Sequence, residues 1–476
     1  MKRSAGMSAE LEIAAGVVDL VRRTAGPAAE AEVLVTRSDL ALTRFANSFV
    51  HQNVSETGVA VHLRLHVDGR TVTGSGSRVD ADGLAALVER TRAAARLAPP
   101  DPAWPGLTAP VPVPSGPAVD EGTAFASPDE RAERVRAFVE AVEGLEAAGY
   151  CRTAYRAGAF ANSAGHTAVG RAAEAAMDGI ARAGGADGVA RLCADRLADL
   201  DGAALGARAA AKARAAADPV ELPPGHYEVV LEPAAVADLL HNLAWYGFNG
   251  KRYAERQSFA EPGRAQFDPS VTLVDDPLHA STLPFDLEGT PRRALPLVEG
   301  GTTGAVAYDR RAGAEAGAGS TGHGMPDSAT FGPIPHNIRL LTGTTDAGVA
   351  GAAVAAGAVS AGVTGAVGDP DTAALVAGMR RGLLVSDFWY TRVLDPKQLV
   401  ITGLTRNGVW LVEDGVPTRA VRDFRFTESY PRALGPGRVL GLGRTAVRQP
   451  GRVDGSWCEG PALRLSSWHF TGGASG

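Results

Sequence analysis

Between Leu11 and Val21, apolar side chains at Ile13, Val17 and Val21 repeat at helical spacing, and the pattern stops at Gly26-Pro27, a pair that ends helices. From Val59 to Val67 the pattern changes to strict alternation. The chain then turns at Asp68-Gly69 and returns through Arg70 to Gly74, which predicts a hairpin. Leu84, Leu87, Val88 and Leu97 mark a further helix, followed by a proline-rich loop from Pro99 to Pro117. At Ser127 to Glu130, "SPDE" is a capping box with proline at the first helical position. It opens a helix through Val135, Phe138, Val139 and Val142. Strand-like and alanine-rich helical segments continue to about residue 218, so residues 1–218 read as an N-terminal α+β domain.

The stretch "ADPVELPPGHYEVVLEP" reads as a proline-rich joint feeding a strand at Tyr227 to Leu231. A helix follows, "LLHNLAWYGFNGKRY", Leu239 to Tyr253, and then short segments punctuated by glycine and proline. Towards the end, "LVITGLTRNGVWLVEDGVPTRAVRDFRF" predicts three alternating strands joined at Asn407-Gly408 and Asp414-Gly415. Residues 219–476 therefore read as a second domain rich in antiparallel β-sheet. A length of 476 residues suits two such domains.

Composition narrows the function. A net charge of -6 and a pI near 6.0 leave no electrostatic footprint for nucleic acid or an anionic membrane. The three cysteines, Cys151, Cys193 and Cys458, are too far apart for a paired-cysteine zinc site or a disulfide framework. Near the N-terminus Glu10, Glu12 and Asp19 interrupt any apolar stretch, against a secretory signal. Ala347 to Gly368 is uncharged but has six glycines and no Leu, Ile or Phe. It would enter lipid poorly and reads as an Ala/Gly insertion. A cytoplasmic protein is expected.

His241 stands in the quoted helix as a zinc-binding histidine would, but it stands alone, with Trp245, Tyr246 and Phe248 beyond it. Catalytic zinc needs three protein ligands and usually a carboxylate base. On the residues alone, a hydrogen-bonded core histidine is the better reading. His62 and His66 share one strand face and read as a solvent-facing cross-strand pair. Asp286 and Glu288 in "FDLEGTPRR" read as solvated acids flanking a turn. The loop "GAGSTGHGMP" holds Ser320, Thr321, Gly322, His323 and Gly324. Its amides could pair with an anion or an extended peptide, or the loop could simply be flexible. The chain contains no G-x-S-x-G elbow, and Gly250-Lys251 lacks the remainder of a phosphate loop.

Taken in order, "ETGVAVHLRLHVDGRTVTGSGS", "YEVVLEPAAVADLLHNLAWYGFNG", "LPFDLEGTPRRALPLVEGGTTGAVAYDRRAGAEAGAGSTGHG", "RRGLLVSDFW" and "VWLVEDGVPTRAV" resemble the TldD/PmbA metallopeptidase family, also called modulators of gyrase. The resemblance covers most of the chain and implies a two-domain α+β fold. It also implies a zinc site built from a His-Glu-x-x-x-His helix and a C-terminal cysteine. On this chain the first histidine matches His241, the glutamate position is Asn242, the second histidine position is Tyr246, and the cysteine falls near Val447. An amide cannot act as general base, and a phenol that titrates near ~10 is a poor neutral ligand. The chain is thus most similar to the TldE/PmbA-type subunit, with no metal of its own. Zinc is expected in a TldD-type partner, peptides as substrate, and the loop from Ser320 to Gly324 as lining of the peptide channel. The aromatic trio after His241 is expected at a subunit interface. Two other readings stay open: a hydrolase with a displaced site built from His241, His323 and Cys458, and a stand-alone peptide-binding scaffold.

Overall fold

The computed structural model describes residues 8–342, 369–451 and 455–473; the Ala/Gly insertion predicted at 347–368 lies outside the described residues. Helix α1 (Ala9–Ala25) is capped by the Ser8 hydroxyl and buries Ala14, Val17, Val18 and Val21 on one face. Strands β1 (Glu30–Ala46), β2 (Phe49–Val67) and β3 (Arg70–Gly76) follow, then α2 (Ala81–Leu97), α3 (Glu121–Ala124) and α4 (Pro128–Ala141). The capping box at α4 is present in both directions: Glu130 N–H donates to Ser127 Oγ, and the Glu130 carboxylate accepts from Ser127 N–H. Strands β4 (Glu146–Asn162), β5 (Thr167–Ala183) and β6 (Ala186–Ala194) complete a sheet of order β3-β2-β1-β4-β5-β6, and α5 (Gly202–Ala215) closes this part.

The sheet's two faces differ. Val33, Val35, Val61, Leu63 and Leu65 pack under α1 and α2, while Phe45, Cys151, Ala175 and Met177 pack under α4 and α5. α5 lies so close to β6 that a Cβ at Gly188 would meet the Ala209 carbonyl oxygen at 2.1 Å. On the opposite face Leu34, Phe160 and Ala168 cluster with Phe285, from the second half of the chain. That half therefore packs on the sheet, which puts the acids around Phe285 in its shadow.

The second half runs β7 (Gly225–Leu231), α6 (Pro233–Asn242), α7 (Gly250–Ala254), β8 (Leu273–Asp275), β9 (Leu295–Glu299), β10 (Thr302–Thr303), α8 (Arg310–Glu315), α9 (Ser328–Phe331) and β11 (Asn337–Leu340). After the undescribed segment come α10 (Pro370–Ala377), β12 (Arg381–Asp395), β13 (Val400–Glu413), β14 (Val416–Ala420), β15 (Phe424–Ser429), α11 (Tyr430–Ala433), β16 (Val439–Leu442), β17 (Val447–Pro450), β18 (Trp457–Gly460) and β19 (Leu463–Gly473). Among the described residues β10-β9-β8-β11-β18-β17 form one sheet, and β12-β7-β19-β15-β13-β14 another. Because β12 also pairs with β13, the second sheet closes into a small barrel. Its interior holds Phe388, Phe426, Trp468, Phe470 and Ile401, and α6 packs into the same core through Val236, Leu239 and Leu240. The fold is a mixed α+β architecture with largely antiparallel sheets, as expected.

One turn differs from expectation. Asp68-Gly69 and Asp414-Gly415 link successive strands, but Asn407-Gly408 lies inside continuous β13. Both residues have positive φ where the β12–β13 register slips between Val385 and Asp387, so the pair makes a bulge. A Cβ at Gly408 would meet the Trp410 ring at 2.1 Å, so glycine is required there. The preceding strand connection is made by residues 396–399.

Candidate functional site

Helix α6 begins at Pro233, whose missing N–H costs nothing in a first turn. Its N-cap, Glu232, makes no side-chain cap bond. The buried carboxylate instead accepts from Arg208 at 2.6 Å and Ser386 Oγ at 2.8 Å, and pairs with Lys212 at 2.5 Å. Burial opposes its ionisation, but Lys212 and Arg208 outweigh that and hold its pKa below the usual value. Burial in turn pulls Lys212 down to about 8. Past Asn242 the helix widens into a π turn over Leu243–Gly247, closed by Phe248 N–H donating to the Leu243 carbonyl at 2.9 Å. Such turns are frequent at functional sites.

His241 lines a cavity of about 10 Å³ with Ala244, Trp245, Ile334, Pro335, His336, Ile338, Ser456 and Cys458. That is room for about one water. His336 comes from the segment before β11 and Cys458 from β18, two strands that pair with each other. The residue His336 is half-buried, but its ring is desolvated. Burial and the nearby Arg292 guanidinium press its pKa down to about 3, so the imidazole stays neutral. Its Nε2 has no hydrogen-bond partner among the described residues. A zinc site needs three or more converging ligands. Among the described residues no group of three or more His, Cys, Asp and Glu side chains is placed to hold a metal ion.

The other motif positions serve packing. Asn242 is buried, and its amide donates to the Asp238 carbonyl at 2.8 Å and to Asp238 Oδ2 at 3.1 Å. Tyr246 is half-buried and lies under the Arg252 guanidinium, 4.9 Å from its ring centre. Phe248 is fully buried in the barrel-side core, and Trp245 and Tyr246 are half-buried, so at most two of the three aromatics face outward. Val447 is on β17 and lines a different cavity, of about 460 Å³, with Leu205, Arg208, Lys212, Glu232 and Gln449. The cysteine that reaches the His241 cavity is Cys458.

The loop from Ser320 to Gly324 is pinned to the protein. Thr321 Oγ1 accepts from Tyr308 N–H at 2.7 Å and lies 2.8 Å from His323 Nδ1. Gly322 N–H donates to Ser320 Oγ at 3.2 Å, and Gly324 N–H to Asp286 at 2.6 Å. His323 is buried, with Nε2 2.9 Å from Asp275, so it faces Asp275 and does not line the His241 cavity.

Asp286 and Glu288 are buried, contrary to the solvated reading, because the first sheet covers them. Burial and the Glu288 charge raise Asp286 to about 7. Glu288 is held low despite burial because Arg64 (2.6 Å) and Arg310 bracket it. Both guanidiniums also contact Glu32, which burial keeps above its ordinary pKa. Arg64 and Arg310 lie over the Trp104 ring, on which His66 stacks at 4.9 Å while bonding Thr71 Oγ1 at 2.8 Å. His62 and His66 are half-buried and are not a free surface pair. Sequence reasoning missed His336, Arg292, Asp275, Lys212 and Glu232. Each acquires its setting from partners distant in the chain, and no local pattern marks them.

The family profile of the PmbA/TldA metallopeptidase C-terminal domain matches residues 224–472, more than half of the chain. The chain belongs to this family. Its overall fold is that of TldE from Thermococcus kodakarensis, with a TM-score of 0.78 and 19% identity over 97% of this chain and 99% of that one. A Thermotoga maritima protein described as a candidate modulator of a DNA gyrase superposes at 0.77 with 15% identity, over 97% of this chain and 99% of its own. A counterpart from Bacteroides thetaiotaomicron reaches 0.76 with 18% identity, over 97% and 98%. No curated relative matches by sequence. Among the described residues no helix is long and apolar enough to cross a membrane.

Proposed function

We propose that this PmbA/TldA family chain is the non-catalytic, TldE/PmbA-type subunit of a heterodimeric zinc peptidase acting on small or unfolded peptides, and that it works in the cytoplasm. One observation carries the reading. In the helix where the family's zinc motif would stand, the glutamate position is an amide bonded to Asp238, and the second histidine position is a phenol stacked on Arg252. Neither can take a proton from a metal-bound water or complete a ligand set with His241. The nearby His336 and Cys458 line a cavity too small for an ion with a bound substrate. The contribution of this subunit is architectural: it closes the peptide channel of its TldD-type companion. The likeness in overall fold to a protein named TldE supports the same subunit type.

The test is reconstitution. Peptide cleavage is assayed with this chain alone, with the TldD-type companion alone and with both mixed. Activity is expected in the mixture and absent from this chain alone. Robust, chelator-sensitive hydrolysis by the isolated chain would overturn the assignment and favour a displaced site.

A further inference from the structure

The outer face of the barrel carries an arrangement that packing within the chain does not account for. Trp389, Tyr390 and Leu394 on β12 are 50%, 62% and 60% exposed. Trp389 pairs across to Leu404 on β13, and Leu404 pairs onward to Arg425 on β15, so the three share one outward face. Arg406 lies over the Trp389 ring at 4.6 Å and Arg392 over the Tyr390 ring at 4.3 Å. Tyr390 has φ of 51°, at the register slip between Trp389 and Arg392. A bulky residue in that region is strained, and strain of this kind clusters at binding sites.

The charge on this face is unbalanced. Nearby Arg422 and Arg432 pair with Glu221 and Glu428, but among the described residues no ion pair joins Arg392, Arg406 or Arg425 to a carboxylate. The acids close by are Asp387, the cross-strand partner of Arg406, which is buried and pairs with Arg191, Asp423, which feels Arg406 without pairing with it, and Asp395, which accepts from Lys397 and Gln398 N–H. Three unmatched guanidiniums around two exposed aromatics stand out on a chain whose net charge is -6. Tryptophan, tyrosine and arginine are the residues that carry binding energy at protein interfaces.

We infer that this barrel face is the docking surface for the companion subunit, which meets it with an acidic patch; the inference rests on the heterodimer reading above. A second copy of this chain is disfavoured as occupant, because two-fold symmetry would bring arginines against arginines.

The experiment measures companion binding by titration calorimetry for the native chain and for R392E/R406E/R425E. It is paired with phenylglyoxal labelling of the native chain, free and in complex, read by mass spectrometry. At least about thirty-fold weaker binding of the triple variant is expected, the scale of one hot spot. Native binding should weaken as salt rises, and Arg392, Arg406 and Arg425 should be protected from labelling in the complex. A complex that leaves these arginines fully reactive, or that the folded triple variant forms equally well, overturns the docking surface and leaves the heterodimer reading intact. Absence of any complex with the native chain overturns both. If the triple variant does not fold, the labelling arm decides alone.

Discussion

Replacing Glu232 by glutamine removes one negative charge from a buried site while keeping its shape. Lys212 and Arg208 then face a neutral amide. Lys212 can escape by giving up its proton. With its pKa already near 8, that costs about 1 kcal/mol at pH 7. Arg208 cannot deprotonate. It loses a charge-assisted bond of 2.6 Å, worth roughly 1.5–3 kcal/mol, and among the described residues keeps Asp369 at 3.5 Å. The expected loss is therefore about 2.5–4 kcal/mol, overlapping the range for removing one partner of a buried pair. That should appear as a lowered melting temperature. Lys212→Met alone should cost less, because Glu232 keeps Arg208 and Ser386. The double variant should lose less than the two single losses combined. The pH dependence supplies an independent check. Folding lowers the lysine pKa from 10.5 to about 8, so the unfolded chain binds more protons in that window and native stability climbs with pH across it. That climb should vanish in Lys212→Met. Urea unfolding followed by circular dichroism across pH 7–10.5 measures all of these. A loss under about 1 kcal/mol for Glu232→Gln, or strictly additive single losses, would refute the reasoning.

Three further outcomes follow from the same structure. Asp286 binds a proton more readily folded than unfolded, so through this group stability falls as pH rises from about 4 to about 7; Asp286→Asn should flatten that slope in pH-dependent melts. Gly408→Ala should destabilise by about 1–3 kcal/mol in chemical denaturation, because the new methyl group meets the Trp410 ring at positive φ. Asn242→Glu with Tyr246→His rebuilds the family's motif letters but sets a second carboxylate against buried Asp238. The double variant should melt lower and gain no peptidase activity when assayed with added zinc.

What the sequence made legible was local. The capping box at Ser127, the turns at Asp68-Gly69 and Asp414-Gly415 and the strand before α6 each depend on a few neighbouring residues, and each is present. Asn407-Gly408 has the same letters as a hairpin turn, and only its pairing with β12 makes it a bulge. Asp286 and Glu288 look solvated until the first sheet brings Arg64 and Glu32 onto them. At the candidate site, His241, Asn242 and Tyr246 could be placed because they lie on one helix. Cys458 joins His241 in the sequence only through the displaced-site reading, whose third member, His323, faces Asp275 instead; His336 carries no local mark, because the pairing of β11 with β18 delivers it, and the family register puts the ligand cysteine near Val447.

The most direct test of the non-catalytic reading is the zinc-to-protein ratio of the isolated chain after gel filtration in zinc-containing buffer, measured by plasma mass spectrometry. The account expects no stoichiometric zinc, with His241→Ala indistinguishable from the native chain. One zinc per chain, lost on His241→Ala, would contradict it.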